Sequence, residues 1–325
     1  MNISNNYFKI LTFANEFNIF IKIMEIVNKN NKFKLIQWNI LAPGEVYCNP
    51  SSFPHVDKNI LIWDYRKVLF REIIRKLGAD IFCLEEVDAY ENFQKEVFDD
   101  LLETYSSVYY KKNTGGQGIA LFYNKDLFEL INSFKLDLKG DSEGKLTNQF
   151  FSINFLKQNQ LNKVFCVIIT HLKAKKPFEE IRKIQVKHIC DIINNDKKFL
   201  NLFKNLNCES IILCGDFNTE PDCGSIQYLK NFEFNDSNLL KFNSAYNIFD
   251  KSKDDFLECT TFKIREEEAY RVIDYIFYAG KIKVTEVEKI PTKSSKEWES
   301  IINIGLPSSF FPSDHHYIGV DFEII

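Results

Sequence analysis

Beyond residue 33 the chain alternates short apolar runs with amphipathic stretches. Lys34–Ile40, Asp80–Leu84, Gly118–Tyr123, Val164–Thr170, Ile211–Gly215, Val272–Tyr278 and Tyr317–Phe322 are brief and apolar, the pattern of strands. Asp64–Leu77 and Phe178–Asn194 instead repeat apolar side chains every three or four positions, as Ile181, Ile184, Ile189 and Ile192 do. That spacing predicts helices. Polar segments at 111–117, 140–147, 250–258 and 291–299 separate elements without marking a break, and no internal repeat is evident. A chain of 325 residues can bury a full core, so residues 33–325 are expected to form one domain.

Residues 1–32 stand apart. Asn-rich flanks surround the apolar run Phe17–Val27, which Lys22 and Glu25 interrupt. These charges argue against a secretory signal, and the lack of Arg argues against a mitochondrial presequence. The segment is expected to be a docking helix or a flexible tail. No stretch approaches the about 18 uncharged apolar residues of a membrane span. A cytoplasmic monomer is expected, with mitochondrial targeting as the alternative location.

Composition changes this picture little. Hydrophobic residues make up 45% and charged residues 26%, an ordinary globular balance. The 31 Phe are spread along the chain, as core filling would require. Net charge is −4 and the sequence pI is about 5.9, without the basic excess of an extended nucleic-acid track. A local basic pocket remains compatible with that total. The eight cysteines contain no C-x-x-C pair, and Cys83, Cys166 and Cys214 sit in apolar runs, which predicts reduced, buried thiols.

Polar residues recur where the apolar runs stop. Asn39 ends the first, Glu86 follows the second in Leu84-Glu85-Glu86-Val87, and His171 follows Val164–Thr170. Gly215-Asp216-Phe217-Asn218 follows Ile211–Cys214. Asp274 lies within an apolar run, where an unpartnered carboxylate would be costly, and His315 in Ser313-Asp314-His315 is its natural partner. Taken singly, each has a bland reading as a turn residue, a solvated acid or a satisfied histidine. Eight in succession suit metal-assisted phosphoryl transfer, which needs a strand-end carboxylate for Mg²⁺, a positioned water and donors on phosphoryl oxygens.

The ordered motifs N at the first strand end, L-x-E-V, T-H-L, G-D-F-N, D-Y-I and S-D-H resemble the endonuclease/exonuclease/phosphatase superfamily. Gln37–Ala42 (QWNILA), Glu86–Tyr90 (EVDAY), His171–Ala174 (HLKA, with Arg182 and Gln185 after it), Thr260–Arg265 (TTFKIR) and Leu306-Pro307…Pro312–His315 resemble its nocturnin and deadenylase branch. The resemblance implies an α/β fold, a two-layer β-sandwich flanked by helices in α-β-β-α order. It implies that Glu86 binds Mg²⁺, with Asn39 on metal or phosphate and Asp314 as an outer metal contact. It assigns Asp216 to the attacking water, Asn218 and His171 to the phosphoryl group, and Asp274 to the orientation of His315. Lys112, Lys173, Lys175 and Arg265 correspond to its substrate-phosphate cations. The implied activity is removal of the 2′-phosphate from NADP(H). The alternative is 3′→5′ exonuclease action on the poly(A) end of RNA, and a silent scaffold ranks third. This chain departs from the family pattern at Glu85, Gln117, Lys175, Phe262 and Arg271, where Gln, Asp, Arg, Trp and His are expected. Those departures bear on substrate affinity.

Overall fold

The computed structural model describes residues 31–44, 52–88, 90–236, 238–239, 241–250, 252–253, 255–264, 268–290 and 304–325. The expectations for residues 1–32 (Asn31 and Lys32 apart), for the polar segment 291–299 and for Arg265 lie outside them. Among the described residues no helix is long and apolar enough to cross a membrane.

The chain opens with β1 (Lys32–Asn39), a helical turn α1 (Lys58–Leu61) and helix α2 (Trp63–Leu77). Then come β2 (Ile81–Val87), α3 (Tyr90–Val97), β3 (Tyr105–Lys111), β4 (Gly118–Asn124), β5 (Phe128–Lys139), β6 (Leu146–Gln158) and β7 (Lys163–His171). Helices α4 (Glu179–Asn195) and α5 (Lys197–Asn205) lead to β8 (Ser210–Asp216) and α6 (Gly224–Lys230). Strands β9 (Asn243–Ser244), β10 (Thr261–Ile264), β11 (Glu268–Arg271), β12 (Asp274–Gly280), β13 (Ile282–Val287) and β14 (Ile318–Ile324) close the chain.

Two six-stranded sheets form, in the orders β13-β14-β1-β2-β4-β3 and β5-β6-β7-β8-β12-β9, with β10 and β11 as a separate hairpin. Strand alternation explains why they stack. On β1, Phe33 and Leu35 join the core shared with the second sheet, where Phe33 lies flat on Phe165 of β7 with ring centroids 5.0 Å apart. Ile36 and Trp38 face the other way, onto Phe70 and Ile74 of α2 and Phe93 of α3. Val186 and Ile189 of α4 and Phe199 of α5 cover the outer face of the second sheet. The result is the expected sandwich between helical layers. Burying each large apolar side chain contributes about 1.5–3 kcal/mol, so the Phe-rich composition is spent in the core.

Both predicted helices are present, and α2 stops where Gly78 adopts φ 52° and returns its N–H to Ile74 O at 3.1 Å. Six of the described cysteines are buried and Cys223 is half-buried; all seven are free. The pattern reading does not anticipate the long β5–β6 hairpin. β5 is an edge strand of mixed character, FELINSFKLDLK, so its alternation is blurred. One boundary also differs. Val272 and Ile273 precede β12, because the Thr260 hydroxyl accepts the N–H groups of Ile273 (3.0 Å) and Asp274 (3.2 Å).

Candidate active site

β1 runs parallel to β2 and β7 parallel to β8, while β12 is antiparallel to β8. Four strand ends and one strand start therefore meet at one end of the sandwich. The facing surfaces change character along their length. On β1 the inward positions read Phe33, Leu35, Gln37, Asn39; on β2 they read Ile81, Cys83, Glu85.

Glu86 lies inside β2 rather than after it, at a bulge between Glu85 and Val87, with φ 57°. A non-glycine residue held there is strained, which turns the side chain away from the ladder. Its Oε2 accepts Ala42 N (3.1 Å) and Gln117 Nε2 (3.4 Å), and its Oε1 accepts Asn39 Nδ2 (3.3 Å). The same Asn39 amide donates to Asp216 Oδ2 at 3.0 Å, so one side chain joins the two sheets.

Asp216 is delivered by Gly215. At φ 142° a Cβ on Gly215 would stand 1.9 Å from Thr170 O, so only glycine lets β8 approach β7 this closely. Register then sets His171 beside Asp216, with Nε2 3.6 Å from Oδ2 and 4.0 Å from Glu86 Oε1. Asn218, also left-handed at φ 54°, donates its N–H to Asp216 Oδ1 (2.8 Å) and its amide to Leu172 O (3.2 Å).

Asp274 meets His315 as the sequence suggests. His315 Nδ1 is 2.9 Å and 3.2 Å from the two carboxylate oxygens, and Nε2 reaches to 3.9 Å from Asp216 Oδ2. Gln37 Nε2 supports the pair from below, donating to Asp274 Oδ1 (3.2 Å) and Glu85 Oε2 (2.7 Å). Asp314 forms an ion pair with Lys263, and its backbone carbonyl accepts the Thr261 hydroxyl at 2.7 Å.

These contacts set the charges. Burial and then the Asp274 carboxylate push Asp216 up to about 7, against the opposing pull of His315 and two hydrogen bonds. Burial disfavours a charged His315, yet Asp274, Asp314 and Asp216 outweigh it and push the ring up to about 10. His171 goes the other way: burial, then Lys112 and His315, hold it well below the usual range. Two histidines in one site thus take opposite charge states at neutral pH.

Glu86, Asn39 and Asp216 offer oxygen atoms, the donor chemistry a hard cation such as Mg²⁺ needs, so the residues present fit such an ion. Asp216, Asp274 and His315 also bring ligand atoms within 4.8 Å of one another. Asp274, however, has both oxygens engaged by His315 and one by Gln37, which favours the Glu86 side. Glu86 and His171 share an open cleft of about 230 Å³ with Lys112, Lys173, Gln117 and Thr114. Lys175 does not line it; the residue is exposed at φ 80°, and Arg182 Nη1 grips its carbonyl at 2.8 Å.

The model of the Endonuclease/Exonuclease/phosphatase family matches residues 36–149 and 184–315. Nocturnin of Rattus norvegicus is 32% identical over 306 residues, 89% of this chain and 65% of that protein. The Ccr4 3′-5′-exoribonuclease subunit of the CCR4-Not complex of Kluyveromyces lactis is 24% identical over 333 residues, 90% of this chain and 41% of that protein. The human nocturnin catalytic domain, solved with bound sulfate, superposes with TM-score 0.67 at 26% identity, covering 91% of this chain and 94% of that one. The chain belongs to the endonuclease/exonuclease/phosphatase family, on its nocturnin-like branch. It spans about two thirds of the length of the rat nocturnin it matches.

Within this family member the motif reading singles out Asn39, Glu86, His171, Asp216, Asn218, Asp274, Asp314 and His315, and the fold gathers all eight at one end. It gives no role to Lys263, Gln37 or Thr260. The alternation Phe33, Leu35, Gln37, Asn39 carried a signal for Gln37, since it shares the inward face with Asn39. Lys263 stands two residues from Thr261 on the same strand face, within the TTFKIR segment. Nothing local marks it as the partner of Asp314.

Proposed function

We propose that this chain is an Mg²⁺-dependent phosphoester hydrolase that removes the 2′-phosphate of NADP(H) to leave NAD(H). The observation that carries the reading is the cleft, where Lys112 and Lys173 stand on the same walls as Glu86 and His171. Two local cations suit a phosphate-rich small molecule, whereas a long strand calls for a basic track that a chain of net charge −4 does not advertise. Glu86 and Asn39 would hold the ion, with Asp314 outside them. A bound Mg²⁺ would supply positive charge against the phosphoryl oxygens.

The protein's own groups supply the rest. Asp216, titrating near neutrality, accepts a proton from the attacking water as a general base should. The charged His315, oriented by Asp274, stabilises the charge that builds on the phosphoryl oxygens. Neutral His171 and the Asn218 amide hold the phosphoryl group, while Lys112, Lys173 and Arg265 attract the substrate's other phosphates.

The second reading, 3′→5′ removal of poly(A), is favoured by the likeness to an exoribonuclease subunit. Purified protein with Mg²⁺ is offered NADPH, coenzyme A and oligo(A), and free phosphate and oligonucleotide length are followed. Phosphate release from NADPH with intact oligo(A) is the expected result; shortened oligo(A) with no phosphate released reverses the assignment.

A further inference from the structure

The loop between β3 and β4 closes through two bonds between the same two residues. Lys112 N donates to Gln117 O at 2.9 Å, and Lys112 Nζ donates to Gln117 Oε1, also at 2.9 Å. Gln117 is buried, and the other end of its carboxamide, Nε2, stands 3.4 Å from Glu86 Oε2. One neutral side chain therefore joins the cationic wall of the cleft to Glu86. Because Oε2 of Glu86 also takes Ala42 N, Oε1 is the oxygen left on the side of Asn39 and His171.

Only one orientation of this amide works. Reversed, it would set its NH₂ against the ammonium of Lys112 and its oxygen against the carboxylate of Glu86. A carboxylate at 117, where family resemblance predicts Asp, would offer acceptors on both sides. It would neutralise Lys112 and repel Glu86. With glutamine in place, Lys112 gives its hydrogen bond to a neutral partner. Among the described residues no carboxylate lies within ion-pair distance of Lys112.

We infer that Gln117 sets the charge preference of the cleft, leaving Lys112 as a cation with no carboxylate in direct contact, which favours a terminal phosphomonoester over an internal phosphodiester. A monoester carries close to two negative charges at neutral pH, its second pKa being about 6, and a diester carries one. The extra charge on the ligand meets a cation whose direct partner is a neutral amide. Gln117 acts through Lys112 and Glu86 and is a positioning residue. The inference rests on the phosphatase reading above and sharpens it to a class of phosphoester.

An aryl phosphomonoester and a bis-aryl phosphodiester, both chromogenic, test it with Mg²⁺ and the full chain. Gln117→Glu is nearly isosteric and adds one charge. It is expected to lower the monoester-to-diester ratio of kcat/KM about tenfold, chiefly by raising the monoester KM. Gln117→Met keeps size and neutrality and is expected to slow both substrates alike, with the ratio held within about twofold. Lys112→Gln removes the cation from the other side and is expected to lower the ratio as Gln117→Glu does. Titration with Mn²⁺ followed by electron paramagnetic resonance, without substrate, should find cation binding in Gln117→Glu at least as tight as in the parent. An unmoved ratio in folded Gln117→Glu or in Lys112→Gln overturns the inference, as does an equal fall of the ratio in Gln117→Met. If the parent protein releases no phosphate from NADPH, the phosphatase reading fails by itself, and these ratios still decide the role of Gln117.

Discussion

The two ends of the sandwich are built from the same strands and the same faces, yet they do opposite things. At one end Phe33, Leu35, Ile81 and Cys83 interlock with the second sheet in a dry core. At the other, Gln37, Asn39 and Glu85 occupy the next positions on those faces and meet Asp216, Asp274 and His315. Strand alternation decides which face a residue joins. Position along the strand decides whether that face packs or reacts. The polar end is held together by amides that each serve two acceptors: Asn39 for Glu86 and Asp216, Gln37 for Glu85 and Asp274. The apolar end supplies the free energy that holds these charges in place.

The sharpest way to separate the ends is to remove one residue from each. Glu86→Ala is expected to reduce turnover by at least about 10³-fold while leaving the melting temperature within a few degrees of the parent. Near-normal rates in that variant would sink its assignment to the cation. Phe33→Ala should do the reverse, costing about 3–5 kcal/mol of stability, with normal kcat in the molecules that remain folded. Denaturant melts and active-site titration measure the two separately; a stable Phe33→Ala protein would erase the contrast.

Asp274→Asn is expected to lower turnover about 10²-fold, because the amide no longer holds His315 charged. The stability side of that pair depends on pH. His315 stands near 10 in the folded protein against an ordinary 6.5, so its contribution is complete below about pH 6.5 and is lost as pH rises through about 10. Melting curves of parent and Asp274→Asn should therefore differ at pH 6 and converge at alkaline pH. A constant gap would mean that the charge of His315 is not what the pair stabilises. The smallest effect concerns the loop that carries Lys173. Arg182 Nη1 donates to the carbonyls of Lys173 and Lys175 at 2.9 and 2.8 Å, and its Nε to Glu179 at 3.0 Å. Arg182→Lys keeps the charge and loses the fork. KM for the phosphorylated substrate is expected to rise about fivefold with kcat little changed, and equal changes in both would make Arg182 purely structural.

Much of this was legible in the chain. Each strand-end residue is marked locally, since an apolar run that stops at Asn39, His171 or Asp216 advertises its own end. Gly215 and Asp216 carry their geometry with them, one by tolerating φ 142° and the other by accepting Asn218 N. Glu86 was legible as a residue but not as a bulge, because a single unpaired position leaves no periodic trace. Lys175 was expected among the substrate cations and instead stands outside the cleft, since the backbone turns at that residue. The β5–β6 hairpin was hidden by the mixed face of an edge strand.

The sequence by itself determined the element types, the order of the polar strand ends and, through alternation, which side chains share a face. Those properties are local: they depend on residues within one strand or one helical turn. Tertiary structure alone decided the pairings, which span 177 residues between Asn39 and Asp216 and 41 between Asp274 and His315. It also decided the charge states: burial and the Asp274 carboxylate push Asp216 toward neutrality, while Asp274, Asp314 and Asp216 outweigh burial and push His315 up to about 10. A pKa belongs to an environment, and no stretch of chain contains its own.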